Sequence, residues 1–154
     1  MKLIKPPTLI DTEEKPSIFL AGSIEMGTAE HWQVKVEKHF LNDDVCVLNP
    51  RRDVWDPSVK QSYYDDTFRK QVEWELEGQE TADVIAMYFD PKTKSPITLM
   101  ELGLFAESGK IIVCCPKGFW RKGNIEVVCF KYGIPLSTEF DIFLQEVRNK
   151  LDHS

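Results

Sequence analysis

Four short apolar runs constrain this chain more than any other feature. They are Ser17–Ala21, Val45–Leu48, Asp83–Phe89 and Lys110–Cys115. Inside each run the apolar residues are consecutive rather than alternating. Such strands are buried on both faces and belong to a parallel sheet covered on both sides. Between the runs the apolar period changes to that of a helix. Trp32, Val36 and Phe40 follow the first run, and Phe68, Val72 and Leu76 follow the second. Thr28 is placed to cap the first of these helices, and the second starts near Asp66. Ser95-Pro96 opens a third helix, with a capping hydroxyl and a proline at its first position, running to Gly109. Asn124 is placed to cap a fourth through Tyr132, closed by Gly133. Ile134–Leu136 is a short fifth strand, and Thr138 caps a last helix carrying Phe140, Phe143, Val147 and Leu151 on one face. The alternation predicts a doubly wound, flavodoxin-like α/β fold: a parallel sheet of about five strands with helices on both faces. A chain of 154 residues is one domain's worth. Residues 1–15, polar and proline-containing, are expected to form a loosely held lead-in.

Charge and cysteine usage narrow the function. Nineteen basic against twenty-five acidic side chains give a net charge of −6. That excludes broad binding to a nucleic-acid polymer or an anionic membrane, which needs a basic surface. No stretch approaches the ~20 apolar residues of a membrane span, and the N-terminus lacks the apolar core of a signal peptide. A cytoplasmic location is expected. Cys46, Cys114, Cys115 and Cys129 show no CxxC spacing and no histidine at ligand distance, so free thiols are expected and no metal site. The turn after the first run, Ala21–Gly27, is neither GxGxxG nor a P-loop, so no dinucleotide or other cofactor is implied.

An open parallel sheet binds its ligand beyond the carboxyl ends of its strands. Four segments fall there: Gly22–Gly27, Asn49–Tyr64, Asp90–Glu101 and Pro116–Asn124. Gly22 and Ser23 sit at a strand-to-helix turn whose amides suit an anion or a sugar hydroxyl. Glu101 lies in the first two turns of a helix, between Met100 and Leu102. A carboxylate there needs a partner or a task. The helix N-terminus would favour its ionised form, and an ionised, poorly hydrated carboxylate suits attack on an anomeric carbon. Capping its own helix or pairing with an arginine is the alternative. Gln71 and Glu75 share a helix face at i, i+4, so Glu75 is a second carboxylate within reach of a sugar or base. Trp55, Tyr63, Tyr64 and Trp120 are loop aromatics able to stack on a nucleobase, and Arg51, Arg52 and Arg121 are the nearby forks for a phosphate. Asp83, at the opposite end of its strand, is structural. Candidate catalytic residues are Glu101 and Glu75. Candidate substrate contacts are Gly22, Ser23, Arg51, Trp55, Gln71, Ser95 and Asn124.

Phe19-Leu-Ala-Gly-Ser-Ile and Met100-Glu-Leu-Gly103, with Ala82-Asp83 and Gly109-Lys110 between and after, resemble the nucleoside 2-deoxyribosyltransferase family. That family includes deoxynucleoside monophosphate N-glycosidases. The resemblance spans residues 17–116. It implies a small-molecule nucleoside or nucleotide substrate, cleaved or transferred at its N-glycosidic bond. Glu101 would be the nucleophile of a covalent glycosyl-enzyme, and Glu75 an acidic residue that contacts the substrate. Gly22 and Ser23 would belong to a sugar- or phosphate-binding loop. It also implies a homo-oligomer whose neighbouring subunit helps complete the active site. The chain departs from the family pattern at three places. The tyrosine that hydrogen-bonds the glutamate is Phe19 or Ile18, an acidic position is Ser95, and an arginine of the monophosphate hydrolases is Glu25. A module that binds a nucleotide or nucleobase without turnover is the alternative function.

Overall fold

Each apolar run becomes a strand in the computed structural model, which describes residues 1–24 and 31–154. Among these residues the elements run β1 (Lys2–Ile4), β2 (Ser17–Gly22), α1 (Trp32–His39), β3 (Cys46–Leu48), α2 (Asp66–Thr81), β4 (Val84–Tyr88), α3 (Pro96–Phe105), β5 (Ile111–Cys114), α4 (Lys122–Tyr132), β6 (Leu136–Ser137) and α5 (Phe140–Asp152). The sheet order is β1-β3-β2-β4-β5-β6, and every pairing is parallel. This is the doubly wound, flavodoxin-like arrangement with one strand added at the β3 edge.

The added strand corrects the reading of the first fifteen residues. β1 pairs with β3 from Lys2–Cys46 to Ile4–Leu48. Further along, the Trp74 indole N–H donates to the Thr8 carbonyl at 2.8 Å, and Ile10 packs on the core. Three strand residues with one buried side chain, Ile4, are too short to show a period in sequence.

Two cores flank the sheet because successive side chains along a strand point to opposite faces. Phe19 and Ala21 of β2 join Trp74, Leu102 and Ile125 on the α2/α3/α4 side. Ile18 and Leu20 join Trp32, Val36, Phe40, Phe143, Val147 and Leu151 on the α1/α5 side. Asp83 ties the far end together by accepting from the Ser17 amide at 2.8 Å and the Ser17 hydroxyl at 2.9 Å. The four cysteines are free and buried. No helix of the described residues is long and apolar enough to cross a membrane.

Helix starts are where the expectations fail. Thr28, and with it Glu25, lies outside the described residues. α2 does begin at Asp66, capped by the Asp65 carboxylate accepting from the Phe68 amide at 3.1 Å. The Ser95 hydroxyl does not cap α3, because it is turned toward other hydroxyls. Asn124 does not cap α4 either: Arg121 holds the cap position and Asn124 is already inside the first turn. In α5 the cap position is Glu139, not Thr138. α3 also ends at Phe105 rather than running to Gly109.

On α2 the buried face is Gln71, Trp74, Gly78 and Gln79, and the expected stripe of Phe68, Val72 and Leu76 is only half-buried. Gly78 explains this rotation. A Cβ there would stand 2.7 Å from two ring carbons of Phe19, so only glycine lets the helix come this close to the sheet. The close approach brings Gln79, beside Gly78, inward against Glu101 of α3.

Candidate active site

The chain reverses direction across the sheet between β2 and β4: α1 leads to β3 on one side, α2 back to β4 on the other. A crevice at such a switch point, outside the carboxyl ends of the strands, is where open α/β sheets hold ligands. The segments after β2 and β4 meet there through hydroxyls. Ser23, just past Gly22, accepts from the Asp90 amide at 2.9 Å and from the Thr93 hydroxyl at 3.0 Å, and it is hydrogen-bonded to the Ser95 hydroxyl. Thr93 and Ser95 are 2.7 Å apart. Ser95 adopts a left-handed backbone (φ 48°, ψ 52°), which is uncommon for a residue with a Cβ and is held by this buried hydroxyl cluster. Sequence reading singled out Ser23 and Ser95 separately. The structure brings them into contact and adds Thr93.

A second cluster is built on one row of α2. Gln71, Glu75 and Gln79 stand at i, i+4 and i+8, so they line up along the helix. Gln71 donates to the Glu75 carboxylate at 2.7 Å and to the Pro50 carbonyl at 3.1 Å, and accepts from the Arg52 Nε at 2.6 Å. Gln79 donates through Nε2 to the Glu75 carbonyl at 3.2 Å and to Glu101 Oε2. Glu101 reaches this point from α3, where it faces inward and is 7% exposed. Gln79 is wholly buried, and its Oε1 has no partner.

The electrostatics run against the expected ionised Glu101. Burial pushes its carboxyl up to about 8, the charge of Glu75 adds to the rise, and the Gln79 hydrogen bond opposes it. Glu101 is the sixth residue of α3, beyond the first turn to which the helix dipole extends. Desolvation therefore wins. Burial raises Glu75 as well, opposed by Gln71 and by the positive charge of Arg52.

The remaining candidates lie around these clusters. Among the described residues Arg51 bonds the Gln33 Oε1 at 3.3 Å and the His31 ring at 3.2 Å, with its own amide donating to the Asn49 side chain at 2.9 Å. Burial lowers its proton affinity. The Arg52 guanidinium lies 5.5 Å from the Trp55 ring centroid. Among the described residues neither arginine has a carboxylate at ion-pair distance. Trp120 donates to the Lys94 carbonyl at 2.9 Å and is flanked by the Lys94 and Arg121 cations. Tyr63 and Tyr64 are exposed and pack edge to face. Asn124 is exposed and joins neither cluster. Gln79 and Thr93 were missed. The signal for Gln79 was its position one turn beyond Glu75.

The model of the family described as nucleoside 2-deoxyribosyltransferase-like matches residues 15–119. The chain belongs to that family. The match covers β2 through β5 and both clusters, and with them Glu75, Gln79 and Glu101. Membership places the activity among nucleoside deoxyribosyltransferase-like reactions. A solved structure described as a conserved protein from Enterococcus faecalis V583 matches with a TM-score of 0.60 at 12% identity, over 88% of this chain and 99% of that one. At that identity the likeness speaks for the shared fold alone. No curated protein matches the chain.

Proposed function

We propose that this family member breaks the N-glycosidic bond of a nucleoside or nucleotide, with Glu101 as nucleophile. The observation that carries the reading is a buried carboxyl on α3 held by a buried amide beside a second carboxylate. In the first step a Glu101 oxygen bonds to C1′ as the C1′–N bond breaks. The bonding pair leaves with the base nitrogen, which takes a proton from water. In the second step water, or the nitrogen of another base, displaces Glu101 from C1′. Two inversions give net retention. Glu75 faces the substrate as a hydrogen-bond acceptor, with Gln71 and Arg52 fixing its carboxylate. Gly22, Ser23 and Ser95 receive the sugar end, and Trp55 and Arg51 border the base or an anionic substituent. Asn124 is proposed as a contact at the outer rim.

Only ionised Glu101 can attack, so its ionisation sets the pH dependence. Base release from a panel of deoxynucleosides and their monophosphates should rise with pH up to about 8, where Glu101 ionises. Chromatography of the free base checks this. Absence of base with every substrate would overturn the reaction, and binding without release would favour a module that holds the ligand without turnover.

A second copy of the chain is proposed to support the site. The outer face of α3 carries Ile97, Met100 and Leu104, exposed at 57%, 57% and 58%, at i, i+3 and i+7. An apolar stripe of this kind marks an interaction surface. It lies on the outer face of the helix whose inner face bears Glu101, so a subunit docked there would hold that helix in place. Light scattering should give a multiple of 17.8 kDa, and Met100→Lys should shift the mass toward the single chain. A monomer at micromolar concentration would remove this part of the proposal.

A further inference from the structure

We infer that Gln79 is the positioning residue for Glu101: its amide N–H fixes one carboxylate oxygen and leaves the other to react. The inference rests on the proposed role of Glu101 and assigns a function to a residue outside the expected site.

The geometry singles out Gln79. It is fully buried at the end of the Gln71–Glu75–Gln79 row, and its Nε2 spends its hydrogens on the Glu75 carbonyl and Glu101 Oε2. Its Oε1 meanwhile has no partner. A buried acceptor left unpaired is destabilising. A glutamine serving the fold alone would be expected to satisfy both ends of its amide. Here the acceptor is left unpaired while the N–H is aimed at Glu101.

Phe19 and Ile18 are the two positions where the resemblance expects a tyrosine bonded to the glutamate. Of these, Phe19 faces the α2/α3 side and Ile18 the other. The Phe19 ring has no donor. It packs against Gly78, the neighbour of Gln79 on α2. Donation to Glu101 therefore passes from the strand to the helix.

Gln79 serves the ionised form of Glu101: its Nε2 donates to a carboxylate oxygen, while its Oε1 has no partner. The bond to the charged form is about twice as strong as a neutral one. Loss of the amide should therefore raise the proton affinity of Glu101. The titratable or charged groups facing Glu101 across α2 are Glu75 and, through Gln71, Arg52. Both stay in place when Gln79 is changed.

Gln79→Met keeps the volume and removes both polar ends. Carbon-detected NMR titration of the Glu101 carboxyl, assigned by its absence in Glu101→Gln, should show the midpoint raised by about one unit or more. In single-turnover base release the rate should fall about tenfold or more, with KM changed by less than about threefold. Gln79→Asn, whose amide is one methylene short of Glu101, should act in the same direction and takes over if Gln79→Met does not fold. An unmoved midpoint in a folded variant overturns the inference, even if thermal stability drops, because a packing role alone would leave the titration where it was. If the wild type releases no base from any substrate, the proposed reaction fails. The titration still decides whether Gln79 controls Glu101.

Discussion

Glu101→Gln is expected to abolish base release, by at least about a thousandfold, and to make the fold more stable at pH 8. The first effect follows from chemistry: the introduced amide cannot form and release a glycosyl ester. Mass spectrometry of quenched protein should show a sugar adduct on the wild type and none on the variant. The second follows from proton linkage. In the unfolded chain Glu101 ionises near the ordinary value of 4.5, and in the folded chain near 8. Between those values the native state holds a proton that the unfolded state has lost. The stability contributed by this group is fully present below about pH 4.5 and is lost as pH rises through about 8. Glutamine has no such slope. The gain at pH 8 is on the order of 3 kcal/mol, read as the difference in urea midpoint between variant and wild type at pH 5 and pH 8. Its amide also brings an N–H donor near the unpartnered Gln79 Oε1. Equal stabilities at both pH values would show that Glu101 is ionised in the resting protein. Residual activity within about tenfold of wild type would remove it as nucleophile.

Gly22→Ala is expected to be the most damaging added methyl among the described glycines. The added Cβ would lie 2.5 Å from the Tyr88 carbonyl oxygen and 2.7 Å from a ring carbon of Trp32. Neither neighbour can yield cheaply. The Tyr88 carbonyl belongs to β4 and accepts from the Ser23 amide at 3.1 Å. The Trp32 ring is fully buried, and its indole N–H donates to the Ser23 carbonyl at 3.2 Å. Overpacking of this kind costs about 3 kcal/mol or more. It would also open the contact of Ser23 with Thr93 and Ser95. Urea melts followed by circular dichroism should show the loss, and a variant within about 1 kcal/mol of wild type would mean that β2 and β4 can separate freely here.

The architecture was legible because burial on both faces leaves an unmistakable mark. Val84–Tyr88 and Ile111–Cys114 are apolar at every position, and no other arrangement covers them. β1 was hidden because pairing at an edge needs backbone groups more than side chains. The caps at Ser95, Asn124 and Thr138 were misread for a related reason: a hydroxyl or amide has several possible partners, and only the fold decides among them. Ser95 chose Ser23 and Thr93, more than seventy residues away in one case. Within the candidate site, Glu101, Glu75 and Gln71 could be singled out as candidates by residue type and spacing. The charge state of Glu101 could not, since it depends on how tightly α2 and α3 close around it. Gln79 was invisible for the same reason: without Gly78 pressed onto Phe19 it would be an ordinary helix glutamine.

The buried carboxyl on α3 also ties occupancy of the site to the exchange of hydrogen ions with the medium. Burial pushes the Glu101 carboxyl up to about 8, so it holds its proton at neutral pH. In the proposed reaction, bonding of its oxygen to a sugar carbon frees the proton while the departing base nitrogen takes one up. Below about pH 8 the two cancel, and the glycosylated form builds up with no net change in the acidity of the medium. Above about pH 8, where Glu101 is already ionised, the first turnover draws one proton from a weakly buffered solution.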